Sequence, residues 1–148
     1  MYENIHLYLI FLPVAFALIT KAIRRCVIVE YFSMAASFVL LAISYMFLTG
    51  VGTLASKTLK SPIFGDGLFY ADHLSAFMAF LISLIFFITS IYSGDYLESE
   101  LKRRVISERK VSDYYFRGFL FVSAMMLVVF INKIGLMWAS VEATTLVS

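Results

Sequence analysis

The sequence predicts an all-α polytopic membrane protein, a transmembrane helix bundle of four complete spans and a truncated fifth. Composition, block length and charge placement all point there. The chain of 148 residues is 61% apolar and 15% charged, with a mean hydropathy of +0.90. Its apolar residues come in long blocks parted by charged clusters, the pattern of a multi-spanning chain. The blocks approach or exceed the roughly 20 residues that a helix needs to cross a hydrocarbon core. Lys and Arg are unequally shared between alternate loops, as they are in oriented membrane bundles. Other classes are excluded. Seven Gly and two Pro do not make a low-complexity chain. The single cysteine, Cys26, allows neither a disulfide framework nor a Cys-based metal site, and His6 and His73 are too far apart to form a ligand cluster.

The first block covers residues 5 to about 20. Met1-Tyr2-Glu3-Asn4 lacks the positive start of a signal peptide and no small-residue cleavage site follows, so the block is expected to be a retained helix, bent at Pro13. His6 reads as interfacial. The second block covers residues 27–48, with Gly50 and Gly52 ending it. Glu30 lies within a turn of its start, where it can reach the headgroup layer or pair with Arg24 or Arg25. Residues 51–71 contain the turn signals Ser61-Pro62 and Gly65-Asp66-Gly67, consistent with a short hairpin or an interfacial segment. The third block covers residues 72–92, with Asp72 placed to cap its N-terminus. Phe77, Phe80, Phe86 and Phe87 fit packing or lipid-facing positions. Asp95 to Arg117 is the most charged segment, with six positives against five negatives, and is expected to be a solvated loop rather than a nucleic-acid patch. The fourth block covers residues 116–131 and the fifth residues 134–148, joined by a tight turn at Asn132-Lys133 that makes them antiparallel neighbours.

The loops after blocks one and three hold nine Lys and Arg (Lys21, Arg24, Arg25, Lys102, Arg103, Arg104, Arg109, Lys110, Arg117). The opposite side holds three, Lys57, Lys60 and Lys133. The positive-inside rule therefore places the N-terminus and the Asn132-Lys133 turn outside and the two basic loops in the cytoplasm.

The candidate site is in the fifth block. From Ile134 to Ser148 an α-helix would span about 22 Å, less than the ~30 Å hydrocarbon core, and the chain reads as truncated there. Glu142 stands eight residues beyond Ile134, about 12 Å deep. An acid at the centre of a membrane helix costs roughly 2.5–3.5 kcal/mol on insertion scales, so it marks a functional site unless it only fixes packing. Trp138 and Thr145 share its helical face. Ser140, Thr144 and Ser148 form another row, and Ala139 with Ala143 a small-residue pair, which together predict a helix buried in a bundle and hydrogen-bonded across its interface. A group whose protonation a neighbouring charge can move is what a proton relay requires. No lysine lies within the blocks themselves, so a partner cation must come from elsewhere.

These residues resemble the antiporter-like membrane subunits shared by complex I, Mrp-type cation/proton antiporters and membrane-bound hydrogenases. Asp72-His73-Leu74-Ser75-Ala76-Phe77 is similar to the Asp-x-Leu-Ser start of that family's third helix. Ile91-Tyr92-Ser93 with Tyr96 resembles the end of the same helix, and Phe119 to Asn132 with Trp138 and Glu142 resembles its fourth and fifth helices. The tail from Trp138 to Leu146 is most similar to the hydrogenase-4 F-type branch, with Val141 where complex I subunits usually carry Trp. The likeness covers nearly the whole chain but only the N-terminal part of a family member.

The resemblance implies a proton-translocating subunit of a hydrogenase-4-like or complex I-like redox assembly in a bacterial or archaeal inner membrane. In that reading Glu142 is the proton-transfer group, Trp138, Thr145 and Asp72 support it, and the family's lysines lie beyond Ser148. No cofactor is expected in this chain, and iron–sulfur clusters and a nickel–iron site are expected in partner subunits. The chain itself would catalyse no redox step. An Mrp-type sodium/proton antiporter subunit and a truncated, non-transporting remnant are the alternatives.

Overall fold

In lipid no water is available to bond a free backbone N–H, so a long apolar block closes its hydrogen bonds within itself as a helix. The computed structural model describes residues 5–23, 26–51, 57–61, 65–103 and 107–147. Their elements in order are α1 (Ile5–Ala22), α2 (Cys26–Val51), β1 (Lys57–Ser61), β2 (Gly65–Ala71), α3 (His73–Lys102), α4 (Glu108–Phe130) and α5 (Ile134–Val147). Among the described residues three stretches are long and apolar enough to cross a membrane: Val27–Gly50, His73–Leu101 and Arg109–Phe130, of 24, 29 and 22 residues. Leu7–Ala22 and Ile134–Val147 are shorter apolar helices.

The segment from Asp95 to Arg117, expected as a loop, is largely helical: α3 continues to Lys102 and α4 already begins at Glu108. At 30 residues α3 is about 45 Å long and outruns a ~30 Å apolar layer. Glu, Lys and Arg are good helix formers, and nothing in water obliges the helix to stop where the apolar run does. The chain is also not purely α. β1 and β2 pair antiparallel, with Lys57 opposite Ala71, Leu59 opposite Phe69 and an irregularity between Leu59 and Lys60. Gly50 lies inside α2 rather than after it, and Gly52 falls outside the described residues.

Side-chain pairs fix how the helices align. Between α2 and α3, Ser33 meets Ser90 (3.2 Å), Phe38 meets Phe87 and Tyr45 meets Phe80. Between α1 and α4, the Ser112 hydroxyl donates to the Thr20 carbonyl (2.6 Å) and the Ser123 hydroxyl to that of Ile10 (2.8 Å). Between α3 and α4, Ser93 meets the Tyr114 hydroxyl (2.9 Å), Phe86 packs on Phe119, and the Ser75 hydroxyl donates to the Val129 carbonyl (3.2 Å). In each pair one partner's number rises as the other's falls, so all three pairs are antiparallel. The α1–α2 and α3–α4 connections therefore share one end of the bundle. The hairpin and the α4–α5 turn share the other.

The interior is lined by small and hydroxyl residues, among them Ser33, Ser37, Ser44, Ser83, Ser90 and Ser123, while Tyr31, Phe38, Tyr45, Phe77, Ile85 and Tyr92 point outward. That distribution suits a lipid environment, where apolar side chains gain little by hiding from the solvent and small residues let helices approach. Large apolar side chains fill the layers between. Leu9, Ile10, Phe47, Phe69, Met126 and Phe130 form the cluster nearest the hairpin, and Ala17, Ala36, Leu40 and Phe119 the middle one.

α1 runs through Pro13 without a break. Proline lacks the N–H that would bond the Leu9 carbonyl and its ring crowds that turn. The neighbouring Ile10 carbonyl accepts the Ser123 hydroxyl from α4, which ties α1 to α4 beside the freed group. At the hairpin end, the Asn132 N–H donates to the Leu68 carbonyl (2.9 Å) and Phe69 bridges to Ile131. The short turn before α5 is thus fastened to β2, and this sets where α5 starts.

Candidate functional site

α5 begins at Ile134, on the hairpin side, and runs for 14 residues. It packs against α4, from which only the three residues Ile131, Asn132 and Lys133 separate it. Glu142 lies about 12 Å along it from that side. The Trp138 indole Nε1–H donates to Glu142 Oε1 at 2.6 Å, and the Thr145 hydroxyl donates to the Glu142 backbone carbonyl at 2.7 Å. The i−4 and i+3 spacing thus brings Trp138, Glu142 and Thr145 together as expected. A Trp N–H can only donate, so the indole holds one Glu142 carboxyl oxygen as an acceptor.

The burial expected for α5 is corrected. Ser140 is buried and Ala143, Thr144 and Val147 are half-buried, whereas Trp138, Val141, Glu142 and Leu146 are exposed. One face meets α4 and the carboxylate faces away from the rest of the chain. The hydroxyl row does not bond across the interface either. The Ser140 hydroxyl donates to Leu136 of its own helix and that of Thr144 to Val141. A hydroxyl within reach of its own i−3 or i−4 carbonyl needs no second helix. Ser148, the third member expected in the row, is outside the described residues.

Asp72 caps α3: its Oδ1 accepts the Ser75 N–H at 2.7 Å. That hydrogen bond holds the carboxyl below the usual carboxylate range, with the nearby His73 adding to the effect. Asp72 is at the hairpin end, and among the described residues no contact joins it to Glu142. The structure gives it a capping role at the start of α3. Because the folded carboxyl titrates lower than the unfolded one, its contribution is complete above the unfolded value, about pH 4, and is lost as pH falls through the depressed one. Asp72→Ala is expected to cost about 1 kcal/mol at pH 7, and Asp72→Asn to keep most of the cap while removing this acid loss. Detergent melts of the three proteins at pH 7 and pH 3 check it; equal acid sensitivity of wild type and Asp72→Asn would rule it out.

Sequence reasoning missed the surroundings of Glu30. Its carboxylate lies against Gly94 of α3, occupying the space that a Cβ at position 94 would need. Asp95 and Glu98 are within electrostatic reach. Arg24 and Arg25, the partners expected for Glu30, lie outside the described residues, as does the His6 side chain. The available signal was Gly94 itself, a poor helix former one turn past Ser90 in a strongly helical run.

Compared with models of known protein families, with curated proteins and with solved structures, the chain matches none.

Proposed function

We propose that this chain is the N-terminal part of a proton-translocating membrane subunit of a hydrogenase-4-like or complex I-like redox complex, with Glu142 as its proton relay. The observation that carries the reading is the Glu142 carboxylate itself. It stands midway along an apolar helix, on its exposed side, with one oxygen held by the Trp138 indole. Facing lipid, such a group is expensive, so by default it serves a path for ions or protons and meets a partner. The sequence likeness to antiporter-like subunits supports the same assignment.

In this reading α1 is the fourth span. Its bonds to α4 at Thr20 and Ile10 keep it alongside the Arg109–Phe130 stretch for most of its length. α5 is the start of a fifth. The end of the bundle carrying the α1–α2 and α3–α4 connections faces the cytoplasm, because it holds the larger share of Lys and Arg. A proton reaching Glu142 binds the oxygen that Trp138 does not hold and leaves toward a neighbouring acceptor. Electron transfer in partner subunits would drive the cycle by moving a charge near the carboxylate. Trp138 orients the carboxylate and does not carry the proton.

The test is proton uptake by inverted membrane vesicles expressing the intact locus, read with a pH-sensitive dye. Glu142→Gln, which keeps the shape and an acceptor for the indole, is expected to lower the rate at least tenfold at equal protein level. Glu142→Asp should retain part of it, and Trp138→Phe should slow it less than Glu142→Gln does. Wild-type pumping by Glu142→Gln would end the relay reading.

A further inference from the structure

Between α3 and α4 lies a groove of about 640 Å³. Its body is apolar, built by Ile82, Ile85 and Phe86 of α3 against Phe121, Val122 and Met125 of α4. Ile85 lines it while 63% exposed, so the groove opens sideways, toward the lipid. One end is polar and cationic: Lys110 and Arg117 line it there, beside the hydrogen bond between the Ser93 and Tyr114 hydroxyls. Val147 of α5 also lines it.

We propose that this groove holds one anionic phospholipid of the leaflet on the side of the α3–α4 connection. An acyl chain lies between the two helices and the phosphate sits at Lys110 and Arg117. The dimensions and the charge argue for this occupant. From Arg117 to Met125 the lining descends about 12 Å, and from Ser93 to Ile82 about 16 Å, close to half of a ~30 Å hydrocarbon core. The groove is therefore as deep as one leaflet. Lys110 and Arg117 are seven residues apart, on one face of α4. Helical side chains slope toward the N-terminus, which for α4 is the end with the charged connection, so both cations lean into the headgroup layer. Among the described residues no carboxylate forms a salt bridge with either. Asp113, their neighbour on α4, is not part of the lining, and Asp95 and Glu98 lie within electrostatic reach of Glu30 on α2. A basic pocket between membrane helices at this depth is the arrangement that recognises an acidic lipid headgroup. The assignment depends on the helices being in a membrane and not on the role of Glu142.

The experiment is native mass spectrometry of the full chain released from mild detergent, titrated with phosphatidylglycerol or phosphatidylcholine of the same acyl chains. Wild type is expected to retain phosphatidylglycerol about tenfold more strongly. Lys110→Gln together with Arg117→Gln should abolish that preference. Ile85→Trp, which fills the groove from its open side, should weaken retention of both lipids with the charges intact. Equal retention of the two lipids by wild type, an unchanged preference in the double variant, unaltered lipid retention by Ile85→Trp, or displacement by millimolar inorganic phosphate would each overturn the proposal.

Discussion

Phe119→Ala is expected to destabilise the bundle by about 2–3 kcal/mol, more than any other truncation of an aromatic side chain in α4. Phe119 is fully buried, and its ring meets Phe16 of α1 at 5.9 Å and Phe86 of α3 at 5.0 Å, both edge-to-face. It is thus the side chain through which three helices touch. In a membrane the unfolded helices remain in lipid, so removing the ring forfeits little hydrophobic transfer energy. What is lost is contact: the ring's dispersion partners, two aromatic pairs, and a cavity that rigid helices cannot close. Phe38→Ala is the internal control, since Phe38 is 58% exposed and its ring pairs with Phe87 alone among the described aromatic contacts. It should cost less than about 1 kcal/mol. Reversible unfolding in mixed micelles, followed by Trp138 fluorescence or circular dichroism, measures both. Equal losses would mean that Phe119 does not join the helices in the membrane.

The contrast between those two phenylalanines also marks what could be read from the chain. Hydropathy located the apolar blocks, because the need to close backbone bonds inside lipid leaves helix as the one local solution. It could not say which face of each block turns inward. Phe119 and Phe38 look alike in sequence, and only the pairing of α4 with α1 and α3 separates them. Asp72 was legible as a cap because an N-cap is decided locally, by one side chain and an N–H three residues on. The boundaries near Asp95 and Glu108 were not, since apolarity ends where the lipid ends and a helix does not have to. The hairpin is not legible in the sequence for a related reason. Its register depends on partners outside the strands, among them Ile131 and Asn132, which receive β2 from the far end of the chain. At the candidate site, spacing alone brought Trp138 and Thr145 to Glu142. The same spacing said nothing about which side of α5 would meet α4, and the small-residue row proved to be the covered one.

Glu30 shows the opposite case, a contact invisible to spacing and made by two helices, and it yields a sharp expectation. Gly94→Leu is expected to cost about 2 kcal/mol or more, because the new side chain must enter space already held by the Glu30 carboxylate. In an isolated helix the same change would be favourable by nearly 1 kcal/mol, as Gly is among the poorest helix formers. The sign of the effect therefore reports the tertiary contact. Combining it with Glu30→Ala should recover about 1–2 kcal/mol of the loss, a coupling of the size seen for residues in direct contact. Glu30→Gln separates shape from charge: it fills the same space while removing one of three neighbouring acids, Glu30, Asp95 and Glu98. In that background Gly94→Leu should remain as damaging as in wild type if crowding is the cause. Were the double change with Glu30→Ala no more stable than Gly94→Leu alone, the α2–α3 approach at this level would have to be abandoned. If the coupling is found, Gly94 is glycine so that an acid from α2 can lie against the α3 backbone. The acid would then be held in place by packing, beside the charged end of α3 and apart from the relay proposed on α5.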